Sequence, residues 1–441
     1  MKSRKQQVGL ITATSLVVGN MIGAGIYVLP AALAGYGSIS ILAWVMTALG
    51  SLILAKVFGN FSRILVSKSG GPYVYTKEGL GDFPAFLVAW GYWISIWVAN
   101  AAIAVAVVSA FSFFLPVLKT NPLYSVLTGL GLIWFFTWIN SLGVKTSGRI
   151  QVITTLFKII PLLGFVVLGA FYFDIANFPE FNLTGESDLK TVAVVATLTL
   201  YAFLGIECAT IPAENIKDPD RTVPRATMLG TVITTLIYVS ATIVLFGLVP
   251  VEALKSSPSP FAEASNIMGG EYSGYIVAAG AAIAGLGALN GWILISGQIP
   301  MAASRDHLFP RIFKRENKKE VPAMGIVIGS ILSSVVMLMN YSDGLVHQFE
   351  LMILLSTLTS LVPYLFTSAS YALVLIESRF GMPKFSRNII LAALGFSYSL
   401  WTIYGSGNDT VFYGFLLLLA GMPFYVLMKY NQKKDKSIKT N

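Results

Sequence analysis

The chain has 441 residues, of which 55% are hydrophobic and 12% are charged, and its formal net charge is +9. Soluble globular chains carry about 25% charged residues, so this composition excludes an ordinary soluble domain and indicates a protein that uses lipid as its solvent. The excess of lysine and arginine fits the cytoplasmic loops of a membrane protein better than a nucleic-acid-binding surface.

Apolar stretches of membrane length run along the whole chain. The basic tail 1–9 is followed at once by an apolar run that is longer than the core of a cleavable signal peptide. A helix needs about 20 apolar residues to cross a bilayer. The sequence therefore predicts an all-α membrane protein with twelve spans, at residues 10–33, 39–64, 83–115, 122–141, 150–173, 190–212, 225–250, 272–303, 322–340, 349–376, 386–405 and 409–428.

The basic residues favour an even number of spans with both termini in the cytoplasm. In that orientation 25 of the 30 lysine and arginine residues lie in cytoplasmic segments, including the tail 429–441. Lys56 and Lys158 fall inside spans. The outside loops then hold only Lys119, Lys190 and Lys255. Because lysine and arginine concentrate on the cytoplasmic side of membrane proteins, this orientation is the expected one.

The first and sixth predicted spans contain glycine near their centres. The first reads GNMIGAGI at 19–26, and the sixth reads YAFLGIEC at 201–208. Glycine costs about 1 kcal/mol in a helix interior relative to alanine, although close helix packing also uses it. Paired interruptions at corresponding positions of two halves are typical of inverted-repeat transporters that bind their substrate at the membrane midplane. We therefore predict that both helices are broken.

Broken helices offer main-chain groups to a ligand. Amide groups freed at Gly23, Ala24 and Gly25 can hold a carboxylate, because the start of a helix carries positive partial charge. Carbonyl oxygens freed in the sixth span can accept hydrogen bonds from an ammonium group. The pattern predicts a site for the main-chain part of an α-amino acid.

Ionisable and aromatic groups inside spans are further candidates. Glu207 stands beside the sixth-span break and Lys158 lies in the fifth span. Each is a functional hypothesis because placing it in lipid is costly. The structural alternative for Glu207 is that it accepts hydrogen bonds from amides of the broken helix. The alternative for Lys158 is that it snorkels or is a fixed counter-charge, and Lys56, near the cytoplasmic end of the second span, is expected to snorkel. Trp292 in the eighth span fits either a cation–π wall or an interfacial belt.

Other classes of function find little support in the residues. His307 and His347 lie in loops, there is no HExxH motif, and Cys208 is the single cysteine. We therefore expect no enzyme activity, no metal and no cofactor, since an intramembrane hydrolase needs a nucleophile–base set or metal ligands. A sensor would need an appended signalling domain, and the sequence shows none. A channel is a further alternative to a transporter.

Seven motifs resemble those of the amino acid–polyamine–organocation superfamily. They also resemble its basic amino acid/polyamine antiporter family, which includes the bacterial arginine/agmatine antiporters. The motifs are GNMIGAGIYVLP at 19–30, GGPYVY at 70–75, GYWISIWVAN at 91–100, FLGIECATIPAENIKDPDRTVPRAT at 203–227, ALNGWILISGQ at 288–298, DHLFPRIFKREN at 306–317 and LVPYLF at 361–366.

The resemblance implies a LeuT-type fold. Spans 1–5 at 10–173 would form the first repeat, spans 6–10 at 190–376 the inverted second repeat, and 386–428 two extra helices. Helices 1 and 6 would be broken. The implied location is the bacterial inner membrane. The implied partners are amino acids or amines and the lipid bilayer, and a homodimer is one possible assembly that the residues do not decide.

The resemblance also implies roles for individual residues. The substrate carboxylate would meet amides near Ala24 and Gly25, and its side-chain cation would lie against Trp292. A gate on the cytoplasmic side would consist of Tyr92, Glu207 and Tyr364, and Tyr201 would also gate the outer side. The remaining substrate-binding residues that it implies are Met21, Ser95, Ile96, Asn100, Tyr201, Ala202, Leu204 and Ser356.

Three positions depart from the antiporter pattern. Ala24 stands where the family has serine, Tyr201 where it has tryptophan, and Lys158 where it has an apolar residue. A lysine there resembles the proton-coupled members of the superfamily. The function expected first is exchange of arginine for agmatine by alternating access. Proton-coupled uptake through Lys158, and exchange of ornithine for putrescine or of lysine for cadaverine, are the alternatives.

Overall fold

The computed structural model describes residues 9–23, 25–65, 70–142, 147–210, 216–319, 321–339, 345–379 and 385–440. Ala24, a predicted carboxylate-binding position, and the tail 1–8 lie outside these ranges.

The regular structure of the described part is helical, and it contains no extended β-strand. The α-helices, in chain order, are α1 (Leu10–Met21), α2 (Gly25–Ala34), α3 (Ile39–Ile64), α4 (Pro72–Leu80), α5 (Asp82–Ser112), α6 (Val117–Thr120), α7 (Pro122–Ser141), α8 (Ser147–Gly169), α9 (Asp188–Tyr201), α10 (Pro219–Leu248), α11 (Val251–Lys255), α12 (Pro260–Gly269), α13 (Glu271–Arg305), α14 (Ala323–Met339), α15 (Leu345–Arg379), α16 (Phe385–Gly405), α17 (Asn408–Leu419) and α18 (Met422–Thr440).

Membrane-length helices dominate the fold. Within the described ranges, eight helical segments are long and apolar enough to cross a bilayer, and α1 with α2 forms a ninth, bent span. The eight are α3, α5, α7, the part Thr155–Tyr172 that begins in α8, α10, α13, α15 and the segment Asn408–Gln432. The protein is therefore a multi-pass integral membrane protein.

Three further predicted spans contain helices that are too short or not apolar enough to count as membrane-spanning by length and composition. The predicted spans 190–212, 322–340 and 386–405 coincide with α9, α14 and α16. α9 has 14 residues and α14 has 17, whereas α16 has 21 residues but is less apolar than the others. Nine spans are thus supported by helix length and composition, and the count of twelve stays a prediction.

The helices pack as two groups that face each other. The first group contains α1, α3, α9 and α10, in which α1 packs on α10, α10 on α3 and α3 on α9. The second contains α5, α7, α13 and α14, which all contact one another. α5 is the most deeply buried, and α15 packs against both α5 and α9. The interior between the groups is where a membrane-enclosed site can form.

Short helices and ion pairs close the ends of the bundle. α4 and α12 lie between predicted spans and correspond to none of them. At the end where α4 lies, Lys77 approaches Asp82 (4.0 Å) and Asp306 (3.7 Å), while Lys429 approaches Asp82 (2.8 Å). These half-exposed pairs connect α4, α5 and α18 with the residue that follows α13.

Candidate functional site

The first span is interrupted where its glycines lie. α1 ends at Met21, α2 begins at Gly25, and the two helix axes are bent by 42°. The Gly23 amide turns back to the Met21 carbonyl (3.0 Å) and leaves its helical acceptor, the Gly19 carbonyl. The first amides of α2 have no earlier turn to donate to, so a positive partial charge faces the gap. The predicted break is confirmed for the described residues.

Two buried side chains satisfy the carbonyls that the break sets free. Lys158 Nζ donates to the Gly19 carbonyl at 2.8 Å, and the Tyr238 hydroxyl donates to the Met21 carbonyl at 2.7 Å. Lys158 is fully buried, so its ammonium does not reach a membrane surface. The snorkelling interpretation of Lys158 is therefore wrong, because the structure holds the side chain inside the bundle on the end of α1.

The second interruption follows α9, where the sixth predicted span was expected to break. The amides of Ala202, Phe203 and Leu204 bond three residues back, which tightens the chain into turns. Gly205 then takes φ +110°, a conformation that residues with a Cβ rarely adopt. A Cβ there would lie 3.2 Å from the Asn20 Cβ, so the two breaks are packed directly against each other.

A narrow cavity of about 30 Å³ lies between the breaks and the second helix group. Eight predicted substrate-binding residues line it: Met21, Gly25, Ser95, Ile96, Tyr201, Ala202, Leu204 and Trp292. None of the described residues that line it is a carboxylate or a cation. The wall that a ligand meets is mostly apolar, with aromatic faces, backbone, the Asn20 amide and the hydroxyl groups of Ser95 and Ser360 as its polar parts.

Two predicted substrate-binding residues lie outside this lining. Ser356 is buried and its hydroxyl donates to the Ser95 carbonyl at 3.0 Å, so it holds the backbone of α5 behind the cavity wall. Asn100 is also buried, and within the described ranges neither side-chain polar atom has a hydrogen-bond partner. Such an unpaired amide is costly and is satisfied only by a ligand, a water or a rearrangement.

Several lining residues were missed by the sequence analysis. They are Asn20, Ile26, Ala99, Ile103, Ala288 and Ser360. Helical spacing was the available signal, because residues four apart share a face. Ala99 follows Ser95, Ser360 follows Ser356 and Ala288 precedes Trp292 by four positions each. Asn20 gave no such signal, and in the structure it lies against Gly205 of the second break.

Tyr201 covers one end of the cavity. Its ring lies so close to the start of α2 that a Cβ on Gly25 would stand 2.9 Å from the Tyr201 Cε1 atom. On its other side the ring packs edge-on against Phe349, with centroids 5.8 Å apart. Glycine at position 25 thus allows an aromatic side chain to lie across the helix start. The geometry suits the predicted outer lid.

Glu207 joins the other two predicted residues of the second gate. The Tyr92 hydroxyl donates to Oε1 of Glu207, and the Tyr364 hydroxyl donates to Oε2 at 2.8 Å. All three side chains are buried. Glu207 therefore ties α5 and α15 to the turn after α9.

The described side chains bring no three histidine, cysteine, aspartate or glutamate residues together in a way that could hold a metal ion. What the arrangement offers instead is reversible capture of a small polar molecule. A positive helix start, turn carbonyls and an indole face converge on one enclosed space.

Comparisons with known proteins agree with this geometry. A family model described as amino acid permease matches residues 8–427. The arginine/agmatine antiporter of Chlamydia pneumoniae is 33% identical over 459 residues, covering 100% of this chain and 93% of that protein. The putrescine transporter PotE of Escherichia coli K12 is 32% identical over 433 residues, covering 97% of each. The arginine/ornithine antiporter of Pseudomonas aeruginosa is 30% identical over 456 residues, covering 97% and 92%.

Proposed function

The chain belongs to the amino acid permease family, and from that membership we propose that it exchanges arginine for its decarboxylated amine, agmatine, by alternating access. It is a transporter rather than an enzyme, and amino acids or amines are the cargo that its relatives support. The membrane it occupies would be the bacterial inner membrane, with both termini in the cytoplasm.

The single observation that carries the proposal is the cavity between the two breaks. It is lined by Gly25 and Ile26 at the start of α2 and by Ala202 and Leu204 in the turns after α9, so amides of α2 would be available to one end of a ligand and turn carbonyls to another. A carboxylate suits the amides, and an ammonium suits the carbonyls. This pairing is what every α-amino acid requires, whatever its side chain.

Trp292 supports a cationic side chain or amine as cargo. The indole is 5% exposed and lines the cavity, and no carboxylate among the described lining residues competes for the charge. A desolvated cation over an indole face gains about 2 kcal/mol. This is enough for selection and weak enough for release, as an exchanger requires. Agmatine keeps the guanidinium and lacks the carboxylate, so it would use the tryptophan without the α2 amides.

Alternating access would use the two helix groups. The cavity takes Met21 and Tyr201 from the first group and Ser95 and Trp292 from the second. We propose that the chain crosses the membrane twelve times as a LeuT-type fold, with repeats at 10–173 and 190–376 and extra helices in 386–428. Rocking of one group against the other would open Tyr201 on the outside and the Glu207 cluster on the inside.

The test is counterflow in proteoliposomes. Labelled arginine is offered to vesicles loaded with agmatine, with putrescine, or with buffer alone. Exchange predicts rapid entry only into amine-loaded vesicles, and the preferred internal amine separates arginine exchange from ornithine/putrescine or lysine/cadaverine exchange. Equal entry into empty and loaded vesicles overturns the proposal.

A second candidate function is proton-coupled uptake, which the buried Lys158 favours. Its ammonium neutralises the negative end of α1 at the Gly19 carbonyl, so loss of its proton would loosen the first break. A pH gradient alone would then drive accumulation into vesicles without internal amine. Accumulation of that kind that persists in Lys158→Ala dismisses this role, whereas its loss in that variant with exchange intact supports it.

A further inference from the structure

A groove on the outer surface of the bundle lies between α3 and α10, away from the central cavity. Its volume is about 320 Å³. Its shape comes from the helix crossing, because a Cβ on Gly59 would lie 3.1 Å from the Pro224 Cα atom. The two backbones thus meet closely at one point and diverge around it, which leaves a surface trough open to the lipid phase.

Three cations line this groove. Lys56 and Arg63 come from α3 and Arg225 comes from α10, and all three are exposed. Within the described ranges none of them forms an ion pair with a carboxylate. Arg63 Nε donates to the backbone carbonyl of Asp220 at 3.1 Å, which orients the guanidinium along the groove and leaves its other donors for a ligand.

Lys56 is the unusual member of the set. It lies eight residues before the end of α3, or about 12 Å along the helix axis. Placing an ammonium at that depth in lipid is costly unless an anion or water meets it. Snorkelling moves the charge toward the same end of the bundle as Arg63 and Arg225. The three charges therefore converge on one ligand-sized region at the membrane interface.

Apolar side chains continue from this region toward the bilayer centre. On α10 they follow Arg225 along the exposed face, and on α3 they precede Lys56 along the exposed face. The exposed members are Leu229, Val232, Ile233 and Leu236 on α10, and Leu42, Val45, Met46 and Leu49 on α3. A charged end and an apolar track match the head and the acyl chains of a phospholipid.

We propose that this groove is a binding site for an anionic phospholipid, whose phosphate is held by Lys56, Arg63 and Arg225 and whose acyl chains lie along α10. Basic pockets between transmembrane helices on the cytoplasmic side are suited to anionic headgroups. Because α3 and α10 both belong to the helix group that carries the first break, a bound lipid would brace that group. The proposal is independent of the cargo.

The test titrates phosphatidylglycerol into the detergent-solubilised full chain and follows thermal unfolding. Phosphatidylcholine and inorganic phosphate are run in parallel. The triple variant Lys56→Gln, Arg63→Gln, Arg225→Gln is compared with a matched control, Lys314→Gln, Lys318→Gln, Lys319→Gln, which removes the same charge from exposed positions outside the groove. We expect phosphatidylglycerol to stabilise the unmodified chain and the control, with at least tenfold weaker half-saturation in the triple variant.

Three results would overturn the proposal. Equal phosphatidylglycerol affinity in the triple variant places the lipid elsewhere. An equal effect of phosphatidylcholine removes headgroup recognition, and an equal effect of inorganic phosphate makes the groove a free-anion site. If the triple variant does not purify folded, the single variants Lys56→Gln and Arg225→Gln replace it, and unchanged affinity in both counts against the site.

Discussion

The Lys158 ammonium donates its hydrogen bond to the carbonyl of Gly19, the acceptor that the Gly23 amide abandons when the first helix breaks. The Tyr238 hydroxyl donates to the carbonyl of Met21, two residues further along the chain. The interrupted helix is therefore stabilised from outside by two side chains of neighbouring helices. The break is a built feature, because its freed acceptors have dedicated donors.

Tyr238→Phe should lower stability by about 1 kcal/mol, because it removes one buried hydrogen bond to the Met21 carbonyl, which keeps the Gly23 amide as its other donor. Lys158→Met is less informative for this purpose, since it removes a donor and a buried ammonium together. Thermal unfolding in detergent measures the loss. Tyr124→Phe is the control, because this hydroxyl-bearing ring is half-exposed on α7 and its change should be close to neutral. Equal stability of both variants contradicts the role of Tyr238.

Gly205→Ala should cost about 1–3 kcal/mol and strongly reduce transport. The residue has φ +110°, and an added Cβ would press on Asn20 at 3.2 Å. The measurements are thermal stability and counterflow rate. Gly131→Ala is the matched control, because a Cβ at that helical position meets nothing within 4 Å and alanine favours helix. A fully active Gly205→Ala protein would show that the tight turn is dispensable.

Both breaks could be predicted because glycine disfavours a helix at the places where the hydropathy pattern demands one. The positions of the long helices could be predicted for the same physical reason, since lipid exposure imposes length and composition. α4 and α12 were missed because helices of nine and ten residues are too short to show in a hydropathy pattern.

Side-chain direction was the part that the sequence could not supply. Asn100 and Ser356 were expected at the ligand, yet they lie behind the lining, while Ala99 and Ser360 face the cavity. A rotation of one residue about a helix axis moves a side chain by 100°, and only packing fixes it. Lys158 illustrates the same limit, because a span residue can snorkel or turn inward with no difference in the sequence.

Trp292→Ala should weaken binding of arginine and agmatine by about 30-fold, which corresponds to about 2 kcal/mol for a desolvated cation–π contact. Trp292→Phe should recover part of the loss, since a smaller aromatic face remains. Isothermal titration of the purified protein gives both values. Trp138→Ala, which removes an indole exposed on α7, should bind as the unmodified chain does. Unchanged affinity in Trp292→Ala would remove the indole from the recognition scheme.

Glu207→Gln should lower turnover at least tenfold and change substrate affinity much less. The amide offers one acceptor oxygen where the carboxylate offers two, so one of the tyrosines, Tyr92 or Tyr364, loses its charged acceptor and faces an amide N–H group instead. Counterflow rate and binding are measured side by side, with Tyr364→Phe as the partial version and Glu252→Gln as a surface control. Full exchange by Glu207→Gln would leave this carboxylate with a structural role alone.

The competition panel in amine-loaded proteoliposomes tests the central claim most directly, that the cavity between the two breaks recognises an amino acid backbone together with a cationic side chain. Unlabelled arginine, ornithine, lysine, agmatine, putrescine, leucine and glutamate compete with labelled arginine. The account predicts inhibition by the basic amino acids and their amines, and at least tenfold weaker inhibition by leucine and glutamate. Leucine that competes as well as arginine would contradict it.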